Sequence, residues 1–205
     1  MKKLILPLLL MWLSVTAFSA GQYYKAVVYM KDGSVKHGLA TDVMNEKEFI
    51  VFKINEKAKD EKIEFNLVKK MVYTIDNENY ELVYIKVYAG WKQVEIKGPI
   101  WLQLVKKGPA TLYVTTTVMG GAPTNKTAGT ATFHDYYIMR DGEPAAKLFA
   151  TISTLNNNQT FRAKAPLYFA DYPELAEKIK NKTYTWENLE EVVDIYNKWA
   201  QNKKK

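Results

Sequence analysis

The chain has 205 residues, of which 47% are hydrophobic and 25% are charged. That balance is typical of a folded protein with one or two domains, and it excludes intrinsic disorder, a collagen-like repeat and a coiled coil. The formal net charge is +7, but five of the responsible lysines lie at the two ends of the chain, at positions 2–3 and 203–205. A nucleic-acid partner requires a clustered basic face, so we predict no nucleic-acid binding.

Residues 1–19 have the pattern of a secretory signal peptide. Two lysines precede an apolar stretch at residues 4–15. This stretch is too short to span a hydrocarbon core of about 30 Å as a stable helix. The small residues Ala17 and Ser19 predict cleavage after Ser19, and cleavage after Ala20 is the alternative. We therefore expect a periplasmic or secreted protein with no transmembrane segment once the leader is removed.

The sequence contains no cysteine. A bacterial lipoprotein carries its lipid on a cysteine directly after the leader, so the chain is not expected to be a lipoprotein. Disulfide bonds, thiol catalysis and cysteine-ligated zinc are excluded as well. The stability of the protein must therefore come from its hydrophobic core.

Alternating apolar and polar residues predict five short strands within residues 20–77. The predicted strands are Tyr23–Lys31, Ser34–Val43, Glu48–Ile54, Ile63–Leu67 and Lys70–Ile75. Gly38 interrupts the second strand, as a bulge or sharp bend does. Short, bent strands bury one face and lose their open edges when they close on themselves. We therefore predict a small N-terminal β-barrel.

The segments KAVVYMKDG and SVKHGL resemble the first half of SH3-like and Sm-like small barrels. The residues that carry the resemblance are Val28, Met30, Gly33, Val35, Gly38 and Leu39. Sm-like proteins also have an Asp and a Met-Asn pair at a set spacing after the bend. Here Asp42 and Met44-Asn45 lie too close to Gly38, and the Arg-Gly motif is missing. The resemblance therefore implies the barrel fold and not RNA binding.

A second unit is predicted for residues 78–205, beginning with an antiparallel sheet. Its predicted strands are Tyr80–Tyr88, Ile100–Lys106, Ala110–Val118, Phe133–Arg140 and Ala146–Ile152. The segment 119–131 is rich in Gly, Thr and Ala and predicts a flexible loop. The run Asn156–Asn158 marks the end of the strand region, and the apolar period then changes from 2 to 3.6 residues, which indicates helices.

Two C-terminal helices are predicted to pack on this sheet. Pro173 fits the first turn of one helix, and Thr185 caps a longer helix that ends near Gln201. The longer helix has one apolar stripe, which we interpret as core: Trp186, Leu189, Val192, Val193, Tyr196, Trp199 and Ala200. The predicted fold class is thus α+β and β-rich, with a small barrel, an antiparallel sheet and a helical pair.

The order of these segments resembles a group of exported proteins of the Bacteroidota. The resemblance rests on the architecture and on the closing segment YPELAEKIKNKTYTWENLEEVVDIYN. It implies export but no activity.

Few residues are available for catalysis. The two histidines are His37 and His134, and His134 is next to Asp135. Adjacent residues of a strand point to opposite faces, so this pair is not expected to act together. Motifs for a metal, a cofactor or a nucleophilic serine are absent from the sequence. We predict a non-enzymatic protein without cofactors. The alternative is a carboxylate-based hydrolase acting on an envelope or extracellular polymer, since glycoside hydrolysis needs only two acids.

Tyrosines at every fourth position of one predicted strand suggest an aromatic binding platform. Tyr80, Tyr84 and Tyr88 share a face, and Trp91 and Trp101 lie nearby in sequence. Flat aromatic surfaces with polar tips suit sugar rings and peptides. The alternative is that the C-terminal helices cover this face and that Trp186 and Trp199 stack on the tyrosines. We expect an exported binding or envelope-scaffolding protein whose partner is a glycan, a peptide or an envelope protein.

Overall fold

A computed structural model describes residues 22–45, 47–89, 92–119, 131–153 and 159–203. The predicted leader, Trp91 and residues 120–130 of the predicted loop lie outside these residues. The strands are β1 (Tyr23–Met30), β2 (Val35–Thr41), β3 (Phe49–Lys53), β4 (Glu61–Glu64), β5 (Val68–Ile75), β6 (Glu78–Ala89), β7 (Glu95–Lys106), β8 (Ala110–Met119), β9 (Ala131–Arg140) and β10 (Lys147–Ser153). The helices are α1 (Gln159–Tyr168), α2 (Pro173–Lys180) and α3 (Leu189–Lys203).

The strands form one antiparallel sheet in the order β10-β9-β8-β7-β6-β5-β1-β2-β3-β4. The prediction of a β-rich, antiparallel protein is therefore confirmed. Within the described residues β4 and β10 end the strand order and do not pair with each other, and the small barrel predicted for residues 20–77 is not confirmed. Asp76 and Asn77 form the turn between β5 and β6, both with positive φ. Because β5 and β6 pair directly, the sheet continues across the predicted boundary at residue 77.

The N-terminal half packs around β1, which pairs with both β2 and β5. Val28 and Met71 are fully buried in its core. Gly38 allows β2 and β3 to approach closely, because a Cβ atom at this position would lie 2.3 Å from the carbonyl oxygen of Lys53. A side chain at this position would therefore force the two strands apart.

The C-terminal half of the sheet curves until β10 returns to β6. Val87 forms a parallel bridge with Ala146. Tyr88 N–H donates to the Ala146 carbonyl, and Ala146 N–H donates to the Lys86 carbonyl, both at 2.9 Å. The curved strands enclose a small apolar core, whose buried members are Val87, Leu102, Tyr113 and Ala146.

Among the residues that the structure describes, three helices, and not the predicted two, cover the outer face of β8, β9 and β10. Helix α1 was not predicted, because it follows a run of asparagines and contains Pro166, a residue that normally disfavours helix interiors. Thr185 is an N-cap as predicted, but of the short 3-10 turn Trp186–Asn188 that leads into α3, and its Oγ1 accepts a hydrogen bond from Glu187 N–H at 3.3 Å. The main buried residues of this helical core are Leu112, Ile138, Phe149, Phe161, Phe169, Leu175, Ile179, Leu189, Val192, Val193 and Tyr196.

Polar side chains join the β9–β10 turn to the helices. The Arg140 guanidinium contacts the Asp171 carboxylate at 2.9 Å, and Tyr196 Oη donates to the same carboxylate at 2.9 Å. Burial alone would raise the pKa of Glu143. Hydrogen bonds from Lys147, Arg140 N–H and Tyr168 outweigh that effect and hold the pKa below its usual range. The turn is therefore attached to the helices by charge-assisted hydrogen bonds as well as by apolar packing.

Asn197 attaches α3 to the start of β8. Its Oδ1 accepts from Ala110 N–H at 2.7 Å, and its Nδ2 donates to the Ala110 carbonyl at 2.9 Å. The side chain is 7% exposed. Gly108 makes room for it, since a Cβ atom there would lie 2.4 Å from Asn197 Nδ2.

Replacing Asn197 by Ala is expected to lower the free energy of unfolding by about 1–3 kcal/mol, because two buried backbone groups lose their partner. Urea unfolding followed by circular dichroism measures this change. Asn202→Ala, at an exposed position of the same helix, is the control. Equal unfolding midpoints for the two variants would contradict the role of Asn197.

Candidate functional site

Strand β6 lies between two hydrophobic cores. Tyr80, Leu82 and Tyr84 pack against the core of the N-terminal half. Val83 and Ile85 pack against the small core enclosed by β6–β10. The predicted tyrosine face is thus partly covered, but by the N-terminal half and not by the C-terminal helices.

The C-terminal tryptophans contribute to the helical core. Trp199 stacks on Tyr172 with ring centroids 4.7 Å apart and planes 6° from parallel. Trp186 is partly buried against the same core. The alternative in which both tryptophans stack on the tyrosines of β6 is therefore wrong.

Phe65, Tyr84 and Trp101 form one contact group, which we call the aromatic cluster. The Tyr84 and Trp101 ring centroids are 5.2 Å apart, and Phe65 meets each of these rings nearly edge-on at 5.4 Å. Phe65 and Trp101 are each only 2% exposed. Burial, followed by the charge of Glu48, raises the pKa of the partly buried Tyr84. Trp101 is therefore a core residue and does not present a flat open face to a ligand.

The other predicted platform residues do not extend this cluster into one surface. Tyr80 Oη donates to the Glu78 carboxylate at 3.0 Å near the β5–β6 turn. The Tyr88 ring lies near the other end of β6, with Lys147 Nζ 5.8 Å from its centroid. The predicted five-residue platform is thus reduced to one contacting pair, Tyr84 and Trp101, while Trp91 lies outside the described residues.

A cleft of about 540 Å³ borders the aromatic cluster on the Trp101 side. We call it the junction cleft, because both halves of the sheet contribute to it. Its lining residues are Asp42, Val43, Met44, Asn45, Leu82, Trp101, Gln103, Val114, Thr115, Thr116 and Thr117. Sequence analysis did not identify this cleft. The run of three threonines in β8 was the one local signal for it.

The junction cleft opens where β7 and β8 diverge. Their pairing ends at Gln103 and Val114. Beyond that point β7 continues along β6, and β8 continues along β9. Asn45 enters the gap, and its Oδ1 accepts from Trp101 N–H at 2.7 Å. A side chain thus occupies a position where a neighbouring strand would otherwise pair with β7.

A second cleft, of about 350 Å³, borders the aromatic cluster on the Tyr84 side. We call it the Tyr84 cleft. Its lining residues are Glu48, Phe49, Glu64, Phe65, Asn66 and Tyr84. It is lined by two carboxylates and a phenol, and two carboxylates are the groups that the hydrolase alternative requires. The backbone helps to position them, since Phe65 N–H donates to the Glu48 carbonyl at 2.8 Å.

His134 and Asp135 contact different threonines. His134 Nδ1 is 3.0 Å from Thr116 Oγ1, while Asp135 accepts from Thr151 Oγ1 at 2.7 Å. Across the described ranges no group of three or more His, Asp or Glu side chains is placed to hold a metal ion. The helices within those ranges are all too short or too polar to cross a membrane.

Comparison of the chain with protein-family models, with curated protein sequences and with solved structures found no match.

Asn45→Ala is expected to raise the amide hydrogen-exchange rate at Trp101, because its N–H loses the Asn45 acceptor. Exchange followed by nuclear magnetic resonance measures this rate. Asn55→Ala is the matched control, since Asn55 Oδ1 accepts from Lys57 N–H in an exposed loop. Unchanged protection at Trp101 in Asn45→Ala would show that the bond does not hold the β2–β3 connection against β7.

Proposed function

We propose that this chain is an exported, non-enzymatic binding protein and that the junction cleft is its ligand site. The observation that carries the proposal is the cleft itself. Its volume of about 540 Å³ lies within the range of about 300–1,000 Å³ typical of ligand pockets. Four separate parts of the chain line it, namely the β2–β3 connection, β6, β7 and β8. Export is supported by the signal-peptide pattern of residues 1–19.

The lining of the cleft favours a polar, extended ligand. Gln103, Thr115 and Thr117 provide an amide and two hydroxyl groups, while the Thr116 hydroxyl contacts His134 Nδ1. Asp42 provides one carboxylate. Leu82, Val114 and Trp101 line the cleft beside these groups and are apolar. Sugars also carry hydroxyl groups next to apolar ring faces. Extended peptides pair with strand edges through their backbone. A glycan or a peptide is therefore the ligand class that fits.

The Tyr84 cleft supports a second candidate function, carboxylate-based hydrolysis. Glu48 and Glu64 line the same cleft as Tyr84. Retaining and inverting glycosidases hold two carboxyl groups about 5–9.5 Å apart. In this candidate one of the two acids protonates the leaving group, and the other acts as nucleophile or activates water.

The experiment is a thermal-melting screen of the chain without its leader, residues 20–205, against glycans, peptidoglycan fragments and peptides. A ligand at 100 times its dissociation constant is expected to stabilise the fold by about 2.7 kcal/mol. Gln103→Ala is expected to weaken its binding about tenfold, because one hydrogen bond to the ligand is lost. Gln201→Ala, at an exposed position of α3, is the control. If both Gln103→Ala and Thr115→Val bind the ligand as tightly as the unmodified chain does, the junction cleft is not the binding site.

The same glycans and peptidoglycan fragments are then incubated with the protein, and released products are measured. The binding proposal predicts no release. Release that is lost in Glu48→Gln or Glu64→Gln, but kept in the exposed-loop control Glu56→Gln, would instead establish the second candidate.

A further inference from the structure

Strand β8 has an unpaired edge beside the junction cleft. Its pairing with β9 runs along the whole strand, from Ala110 to Met119. Its pairing with β7, in contrast, covers only residues 112–114. Among the described residues no strand pairs with residues 115–119 on the side away from β9. An unpaired strand edge is a template on which another extended chain can pair.

The outward direction of the backbone groups along β8 is fixed by its first residue. Ala110 directs its N–H and C=O away from β9, because both groups exchange hydrogen bonds with the Asn197 side chain. Backbone groups of a strand alternate in direction, so the even-numbered residues of β8 face the same way. Residues 112 and 114 pair with β7. The N–H and C=O groups of Thr116 and Val118 therefore point into the gap between β7 and β8.

The facing edge of β7 does not provide an equivalent template. Trp101 N–H points away from β6, but Asn45 Oδ1 already accepts it at 2.7 Å. Two residues earlier on the same strand, Pro99 has no N–H to donate. A segment that enters the gap can therefore pair along β8 but not along β7 at these positions.

Residues 115–119 lack the features that usually protect a strand edge. Their sequence is TTTVM, which contains neither a charged residue nor a proline. Thr116 and Thr117 are exposed. The terminal strand β4, by comparison, has only four residues, and three of them are charged. Short length and charge are common means of preventing edge pairing, so the edge at residues 115–119 is the accessible one of the two.

The junction cleft also carries one negative charge. Asp42 is the one charged residue among the residues that line it. Its carboxylate is exposed, and within the described part of the chain no lysine, arginine or histidine forms an ion pair with it. A basic side chain of a bound segment would therefore meet a complementary charge in this cleft.

From these observations we infer that the ligand of the junction cleft is an extended peptide, which adds a strand to residues 115–119 and places a basic side chain beside Asp42. Its backbone lies about 4.8 Å from β8, the usual spacing of paired strands, and exchanges hydrogen bonds with Thr116 and Val118. A glycan lacks the alternating N–H and C=O groups that match such an edge. The inference rests on the proposed function, because it specifies the ligand of the same cleft.

The test is isothermal titration calorimetry of the chain with the capped pentapeptide Thr-Val-Lys-Val-Thr. Two modified peptides separate the parts of the recognition. In the first, the inner backbone nitrogens are methylated, which keeps the side chains and removes the N–H donors. In the second, norleucine replaces the lysine and removes the charge. We expect methylation to weaken binding at least about tenfold, because the ladder hydrogen bonds are lost, and norleucine to weaken it by a smaller factor.

Two variants at one position locate the binding on β8. Proline is tolerated at an edge position whose N–H faces solvent, so Thr116→Pro removes one outward N–H and keeps the pairing with β9. Thr116→Val keeps the N–H and, like proline, lacks the hydroxyl. We expect the peptide to bind to Thr116→Pro at least about tenfold more weakly than to Thr116→Val. Val118→Pro, compared with Val118→Ala, replaces this pair if Thr116→Pro does not fold.

Three results would overturn the inference of an added strand: the pentapeptide does not bind, its methylated form binds as tightly, or folded Thr116→Pro binds it as tightly as Thr116→Val. Equal binding of the lysine and norleucine peptides would overturn the role of Asp42. If a glycan binds with a dependence on Gln103 and the peptide does not bind, the junction cleft remains the ligand site and only the peptide inference is wrong. If neither ligand binds, the proposed function is wrong as well.

Discussion

The contact of Phe65 with Tyr84 and Trp101 packs the two halves of this protein against each other, in addition to the β5–β6 ladder that joins them. Phe65 belongs to the short turn between β4 and β5, while the other two rings belong to β6 and β7. The β5–β6 hairpin alone would leave the halves joined along a single ladder. Edge-on aromatic pairs contribute about 0.5–1.5 kcal/mol each beyond the area they bury. The aromatic cluster therefore fixes how the N-terminal half packs on the rest of the sheet.

The junction cleft and the Tyr84 cleft both depend on this packing. The β2–β3 connection contributes residues 42–45 to the junction cleft and Glu48 to the Tyr84 cleft. Its position follows from the aromatic cluster and from the bond between Asn45 and Trp101 N–H. A ligand at either cleft would contact both halves, so ligand binding and the packing of the halves are thermodynamically linked.

Local patterns predicted most of the secondary structure. Alternation located the strands because each buries at least one face, and Thr185 marked a helix start because its side chain caps a free N–H group. Helix α1 was missed because Pro166 and the preceding asparagines are typical of irregular segments. Tertiary packing outweighs that preference, since Phe161 and Ala165 are fully buried.

The site was harder to predict than the fold. The alternation of residues along β6 correctly places Tyr84 on the opposite face from Val83 and Ile85. It does not indicate which part of the chain covers each face. The burial of Trp101 depends on Phe65, which lies far away in sequence. The junction cleft depends on where the β7–β8 pairing ends, at Gln103 and Val114. These are properties of strand register and long-range packing, and no short motif encodes them.

The most direct test of the account is a double-mutant cycle between Phe65→Leu and Tyr84→Leu, measured by urea unfolding. If the aromatic cluster joins the two halves, the two substitutions are expected to be non-additive by about 1 kcal/mol. The control cycle pairs Phe65→Leu with Phe149→Leu. Because Phe149 lies in the separate helical core, the changes in the free energy of unfolding are expected to be additive in this cycle. Additivity of Phe65 and Tyr84 within about 0.3 kcal/mol would contradict the account, because the ring contact would then contribute nothing to the packing of the halves.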